Sequence, residues 1–253
     1  MSKYDLIFST SFMNAAGSLG FNPPSDQPDL ARLGAFVTNP VSLRARMPTR
    51  NPLVIPYPGG FLLHTGYPNP GLAAVLKRNI RKWRRLEIPV IVHLLCEHPG
   101  QLPAMLSRLE ASGAVMAIEL GLPPQANPET IQAFIQSAKG ELPIILRIPH
   151  DLVQLFVEST TALTYLENLA AISLGPARGL LPLGTDRLVH GRLYGPSVFP
   201  QSLSAVQALL PLGIPVIGGG GIFTLEQAEA FLALGAVAVQ LDAVLWRGTI
   251  PER

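Results

Sequence analysis

The stretch Ile214-Pro-Val-Ile-Gly-Gly-Gly-Gly-Ile-Phe-Thr224, continued by Leu225–Ala236 and Val237–Leu245, constrains the fold more than any other part of the chain. A short apolar strand, a glycine turn, a helix-spaced apolar segment and a second apolar strand follow in that order. This is the grammar of two parallel strands bridged by a helix. Gly219, Gly220 and Gly221 leave backbone N–H groups bare beside a helix start, a geometry that can cradle a phosphate.

The same alternation runs through the chain. Candidate strands are a first one near Phe12–Ala16, then Ala35–Thr38, Pro89–Leu94, Ala117–Leu120, Ile144–Ile148, Ala170–Leu174, Pro215–Gly218 and Val237–Leu241. Between them Leu72–Arg85, Pro103–Ser112, Pro128–Lys139, Leu152–Leu166, Ser202–Leu212 and Leu225–Leu234 carry apolar residues at helical spacing, several behind a Pro or a capping residue. Eight strands with intervening helices predict an α/β fold, a single (β/α)8 TIM barrel over residues 1–253, with the glycine turn where such barrels bind phosphate. Residues 175–200, rich in Gly, Pro and Leu, are expected to form a long loop at the functional end of strand six.

Composition narrows the function classes. With 48% hydrophobic and 14% charged residues the chain is suited to one large core. No apolar run reaches the roughly 18 residues of a membrane span, and the first residues lack a signal-peptide core, so no membrane association is expected and a cytoplasmic location is. A net charge of +2 gives no reason to expect a nucleic-acid partner, and a lone cysteine, Cys96, excludes an internal disulfide framework and a multi-cysteine zinc site. His93, Cys96, His98 and Glu119 together have zinc-ligand chemistry, but a satisfied buried histidine and a core cysteine are the blander account, and no metal site is predicted. The basic run Lys77–Arg85 reads as a solvated outer helix, with Leu76, Ile80 and Trp83 facing inward.

Six ordered blocks resemble dihydroorotate dehydrogenase, nearest its soluble class 1: Phe12–Gly17, Gly34–Arg46, Gly66–Gly71, Ala117–Leu120, Gly195–Pro200 and the glycine turn. The resemblance spans nearly the whole chain. It implies a (β/α)8 barrel holding FMN over the C-terminal strand ends. It also implies oxidation of dihydroorotate to orotate, with a base taking the C5 proton while hydride leaves C6 for the flavin. On the family's pattern the cofactor-binding positions are Ala16, Gly17, Asn39, Arg147, Gly195, Gly219, Gly220, Gly221, Ile222, Asp242 and Ala243, and the substrate positions are Gly66, Asn69, Asn127 and Ser173.

The chain departs from that pattern where the chemistry lies. The loop that carries the family's Cys or Ser base is Gly121-Leu-Pro-Pro-Gln-Ala-Asn127, with Gly121 in place of an asparagine. The flavin-supporting lysine is Asn39, a substrate asparagine is Leu63, the strand-five lysine is Arg147, and the strand-six asparagine is Ile172. Asp242 in the phosphate pocket sets like charges together, at a cost of about 4 kcal/mol at close range and an effective dielectric near 20, unless it turns away or pairs with Arg178, Arg192 or Arg247. FMN binding is therefore expected to be weakened or lost. Arg147, His64 and Tyr67 are the candidate catalytic groups, although His64 and Tyr67 also suit a volume-filling role. The readings this leaves are a divergent FMN oxidoreductase, a ligand-binding or partner-subunit pseudoenzyme in a homo- or heterodimer, and ordinary dihydroorotate oxidation in pyrimidine biosynthesis. Each expects a small-molecule ligand in the barrel mouth.

Overall fold

In the computed structural model, residues 6–24, 32–159, 166–248 and 250–251 are described. The strands are β1 (Phe12–Asn14), β2 (Phe36–Val37), β3 (Val41–Ser42), β4 (Leu53–Tyr57), β5 (Gly60–His64), β6 (Val90–Leu95), β7 (Ala117–Gly121), β8 (Ile144–Ile148), β9 (Leu169–Leu174), β10 (Arg178–Leu183), β11 (Arg187–Tyr194), β12 (Val216–Gly219) and β13 (Ala238–Leu241). The helices are α1 (Leu72–Trp83), α2 (Leu102–Ser112), α3 (Pro128–Ser137), α4 (Val153–Ser159), α5 (Phe199–Leu209) and α6 (Leu225–Leu234).

Parallel pairing runs β1-β13-β12-β9-β8-β7-β6-β2. A parallel bridge between Met13 and Ala35 joins the two ends, so the sheet closes into the eight-stranded barrel expected from the sequence. Inside it, one layer reads in ring order Met13, Ala35 with Val37, Ile91, Ala117, Ile145, Ala171, Ile217 and Ala238, all buried. Large side chains from alternate strands fill the space left by alanines on the strands between, which is how a narrow barrel packs without voids. The opposite strand faces pack against the helices in a second, larger cluster.

The helices begin and end where their residues require. Thr224 and Gln227 form a reciprocal capping box at the start of α6, and Gly235 closes it in the left-handed conformation. In α1 the buried face is Leu72, Val75, Leu76, Asn79 and Trp83, with Lys77, Arg78, Arg81 and Lys82 exposed, as the solvated-helix reading expects. Helix α5 starts at Phe199, ahead of the expected Ser202, because Pro200 sits in the first turn, where no N–H partner is lost. Of the expected helix Leu152–Leu166, residues 160–165 lie outside the described residues.

The long loop expected over residues 175–200 is instead largely a hairpin. Strands β10 and β11 pair antiparallel, β11 pairs with β5, and β5 with β4, giving a second sheet ordered β10-β11-β5-β4. Pro56 and Pro182 fall on the two edge strands, the positions in a sheet that tolerate a missing donor. This sheet packs over the C-terminal ends of the barrel strands and forms the roof of the site. Among the described residues no helix is long and apolar enough to cross a membrane.

Candidate functional site

Two residues beyond the apolar barrel layer, the inward positions turn polar: His93 on β6, Glu119 on β7, Arg147 on β8, Ser173 on β9 and Gln240 on β13. Glu119 is fully buried at their centre. Its Oε2 accepts from Arg147 Nη1 (2.9 Å) and His93 Nδ1 (2.7 Å), and its Oε1 from Ser173 Oγ (2.7 Å) and Gln240 Nε2 (2.6 Å). Arg147 Nη1 also donates to Gln240 Oε1 (2.9 Å), so each member holds another in place. Burial pushes the Glu119 carboxyl up, but Arg147, His93 and Ser173 outweigh it and hold the group well below the usual carboxylate range. Burial lowers the His93 pKa, and Arg147 and Arg192 oppose the pull of Glu119.

Above this layer lies a cleft of about 590 Å³ between the roof sheet and the barrel, within the range of small-molecule sites. Its charged walls are Arg46, Arg147, Arg178 and Arg192, with His64, His93 and His190 beside them and Glu97 as an opposing carboxylate. Arg192 is 8% exposed, donates to Thr65 Oγ1 (3.0 Å) and lies over the Tyr67 ring (3.6 Å to the centroid). Its Nε has no hydrogen-bond partner, and no carboxylate of the described residues lies within ion-pair distance of it. A buried cation without a counter-charge is costly, and a bound anion would relieve that cost.

A second, almost closed space of about 10 Å³ lies among Ala15, Ala16, Gly219, Gly220, Tyr194 and Asp242. Of the positions expected to hold FMN, Ala16, Arg147, Gly219, Gly220 and Asp242 border this space, with Tyr194 beside them. Asp242 neither turns away nor pairs with an arginine. Its Oδ1 accepts from the Ala243 N–H (2.5 Å), and the Gly221 N–H also favours its charged form. The carboxylate thus caps the turn after β13 through the Ala243 N–H and lies beside the glycine turn at Gly221. Burial still pushes Asp242 up to about 6. Tyr194 is locked by ring contacts with Phe61 (5.6 Å) and Trp246 (5.4 Å). Tyr194 and Asp242 leave little space beside the glycine turn.

The remaining expected site residues take varied positions. His64, Gly66 and Tyr67 line the cleft, with His64 Nδ1 bonded to the His190 carbonyl (2.8 Å), and Ser173 joins the polar layer. Asn69 accepts from the Ser42 and Gly71 N–H groups and Asn127 caps α3 through the Thr130 N–H, so both side chains hold turns outside the cleft. Asn39 accepts from the Gly20 N–H (3.0 Å), tying down the loop that follows β1 and includes Gly17, while Ile222 is core. Gly195 packs on the Gly59–Gly60 turn, where a side chain would clash. Cys96 faces Met105 and is pushed up to about 12 by burial, His98 is exposed, and no group of described residues could hold a metal ion. Sequence reasoning assigned no role to Tyr194 or Gln240, offered Arg192 only as a partner for Asp242, and offered His93 and Glu119 only as zinc-type ligands. For Gln240 a signal existed, because it lies two positions beyond Ala238 on the same strand face.

An eight-stranded barrel roofed by an antiparallel sheet, with a polar layer under the roof, is the class of protein that fold and site define. The dihydroorotate dehydrogenase family model matches residues 3–250, and the chain belongs to that family. Among similar proteins, the dihydroorotate dehydrogenase B (NAD(+)) catalytic subunit of Geotalea daltonii is 30% identical over 90% of this chain and 81% of its own length. Those of Desulforudis audaxviator and Pyrococcus furiosus are 27% and 28% identical, over 92% and 84% of this chain and 82% and 75% of theirs. The solved structure of DHODH from Eimeria tenella in complex with ferulenol superposes with a TM-score of 0.74 at 15% identity, covering 95% of this chain and 77% of that one, a likeness of fold.

Proposed function

We propose that the chain is a flavin-independent member of its family that binds a small anionic molecule in the barrel-mouth cleft. The observation that carries this reading is Asp242, a buried carboxylate placed beside the Gly221 N–H of the glycine turn that a cofactor phosphate would need. Tyr194, held by Phe61 and Trp246, closes the adjoining space. The cleft beside it remains open and carries uncompensated positive charge at Arg192. An FMN oxidoreductase of altered substrate range would need both Asp242 and Tyr194 to move out of the way. Dihydroorotate oxidation would need a base and a lysine that the sequence replaces.

The test has two arms. Purified protein incubated with excess FMN and then freed of unbound flavin is expected to show no flavin absorbance, and a stoichiometric flavin spectrum would overturn the reading. The double variant Tyr194→Ser, Asp242→Thr is the positive control that opens the space. In calorimetry with benzoate and with orthophosphate as probes, at least one is expected to bind saturably. Arg192→Gln is expected to weaken it by about 1.5–3 kcal/mol, the worth of a hydrogen bond to a charged group.

A further inference from the structure

His93 stands on the cleft floor in an arrangement the flavin-independent reading leaves unused. Its Nδ1 is fixed to Glu119 Oε2 (2.7 Å), and the backbone N–H of His93 donates to Thr38 Oγ1 (3.2 Å), so ring and strand are both held. Nε2 carries no hydrogen bond to any described residue. Unlike His150 Nε2, it is not a sealed orphan, since His93 lines the cleft. The ring has this place because position 121 is glycine: a Cβ there would lie 3.0 Å from His93 Nε2 and 3.3 Å from the Leu94 carbonyl.

The carboxylate decides the tautomer. An ionised Glu119 accepts only, so the bond between Oε2 and Nδ1 requires the proton on Nδ1, and the lone pair is left on Nε2. Burial keeps the neutral ring favoured at neutral pH. The charged groups acting on it are Glu119, Arg147 and Arg192. A carboxylate that orients an imidazole and stabilises its protonated form is how a general base is built. Arg147 hydrogen-bonds Glu119 and not His93, and is a positioning residue.

We propose that His93 is a catalytic base, oriented by Glu119, that removes a proton from the molecule bound in the cleft and returns it at another atom. Such an isomerisation needs no redox partner: the proton goes to Nε2, the electron pair stays on the ligand beside the cationic walls, and the same proton is given back. This rests on the cleft being a ligand site but not on the charge of its natural ligand.

The neutral probe 5-nitrobenzisoxazole tests it. A base takes the proton on the ring carbon, that C–H pair forms the nitrile, the N–O bond breaks, and oxygen leaves as a coloured phenolate. Wild type is expected to exceed an equal concentration of free imidazole by roughly 10²-fold, the low end for a positioned base. His93→Gln, whose amide still donates to Glu119, is expected to fall to background, Gly121→Ala to reduce the rate by displacing the ring, and the exposed His98→Gln to change nothing. Independently of any variant's folding, ¹⁵N NMR of wild type is expected to show His93 neutral and protonated on Nδ1 at pH 7. A rate no higher than imidazole, a rate retained in His93→Gln, or a proton on Nε2 each overturns the assignment. Because the probe is uncharged, absence of benzoate or phosphate binding would defeat the anion reading and leave this test intact.

Discussion

Glu119 shows how one buried charge organises the barrel mouth. Four donors from four other strands end on its two oxygens, so its removal leaves Arg147 without a counter-charge in a buried place. Glu119→Ala is expected to lower stability by about 3–5 kcal/mol in urea denaturation. Glu119→Gln, able to keep part of the network, should cost less. Asp242 gives a pH-dependent effect of opposite sense. Its pKa rises from 3.8 to about 6 on folding, so between those values the native state binds the extra proton and stability falls as pH rises. Asp242→Asn, which still accepts from the Ala243 N–H, is expected to be more stable than wild type above about pH 6, on the order of 1–3 kcal/mol, with the gap closing below about pH 4. Thermal melts across that range would check both size and sign. At this scale Asp242 is visible from sequence as a departure from the family pattern, while Glu119 and His93 stand out only as zinc-type ligands, for which no site is predicted. Their partners are not visible, because the bond from Gln240 to Glu119 joins residues 121 positions apart.

Elements with strong local signals matched their expected bounds closely. Helix α6 runs Leu225–Leu234 as read, since its start is written in Thr224 and Gln227 and its stop in Gly235. Thr224→Ala is expected to cost about 1 kcal/mol, seen as a shifted urea midpoint at unchanged slope. The segment over residues 175–200 shows the opposite case. Prolines and glycines in Arg178–Leu183 read as loop, yet as an edge strand that stretch needs hydrogen bonds on one side only, and β11 supplies them. The roof strands β4 and β5 went unread for a related reason: five-residue strands, one carrying Pro56 and the two joined by a turn at Gly59, show little period-two pattern until a partner strand exists.

At the scale of the whole molecule the closed barrel sets what the site can contain. Its inner layer alternates large and small side chains around the ring, so Ala171→Leu, forced against Ile145 and Ile217 on the neighbouring strands, is expected to destabilise by about 1–3 kcal/mol by overpacking. Urea denaturation would measure this. What the sequence by itself determined was the succession of strands and helices and the glycine turn. These are properties of short segments, carried by hydrophobic period and turn chemistry. Only the tertiary structure decided which side chains meet in the barrel mouth. Within the closed barrel Asp242 lies beside Gly221 of the glycine turn, the roof hairpin places Tyr194 against the adjoining space, and His93 faces Gly121. Each of these contacts depends on the distance between strands far apart in the chain, and that distance is set by packing the ring as a whole.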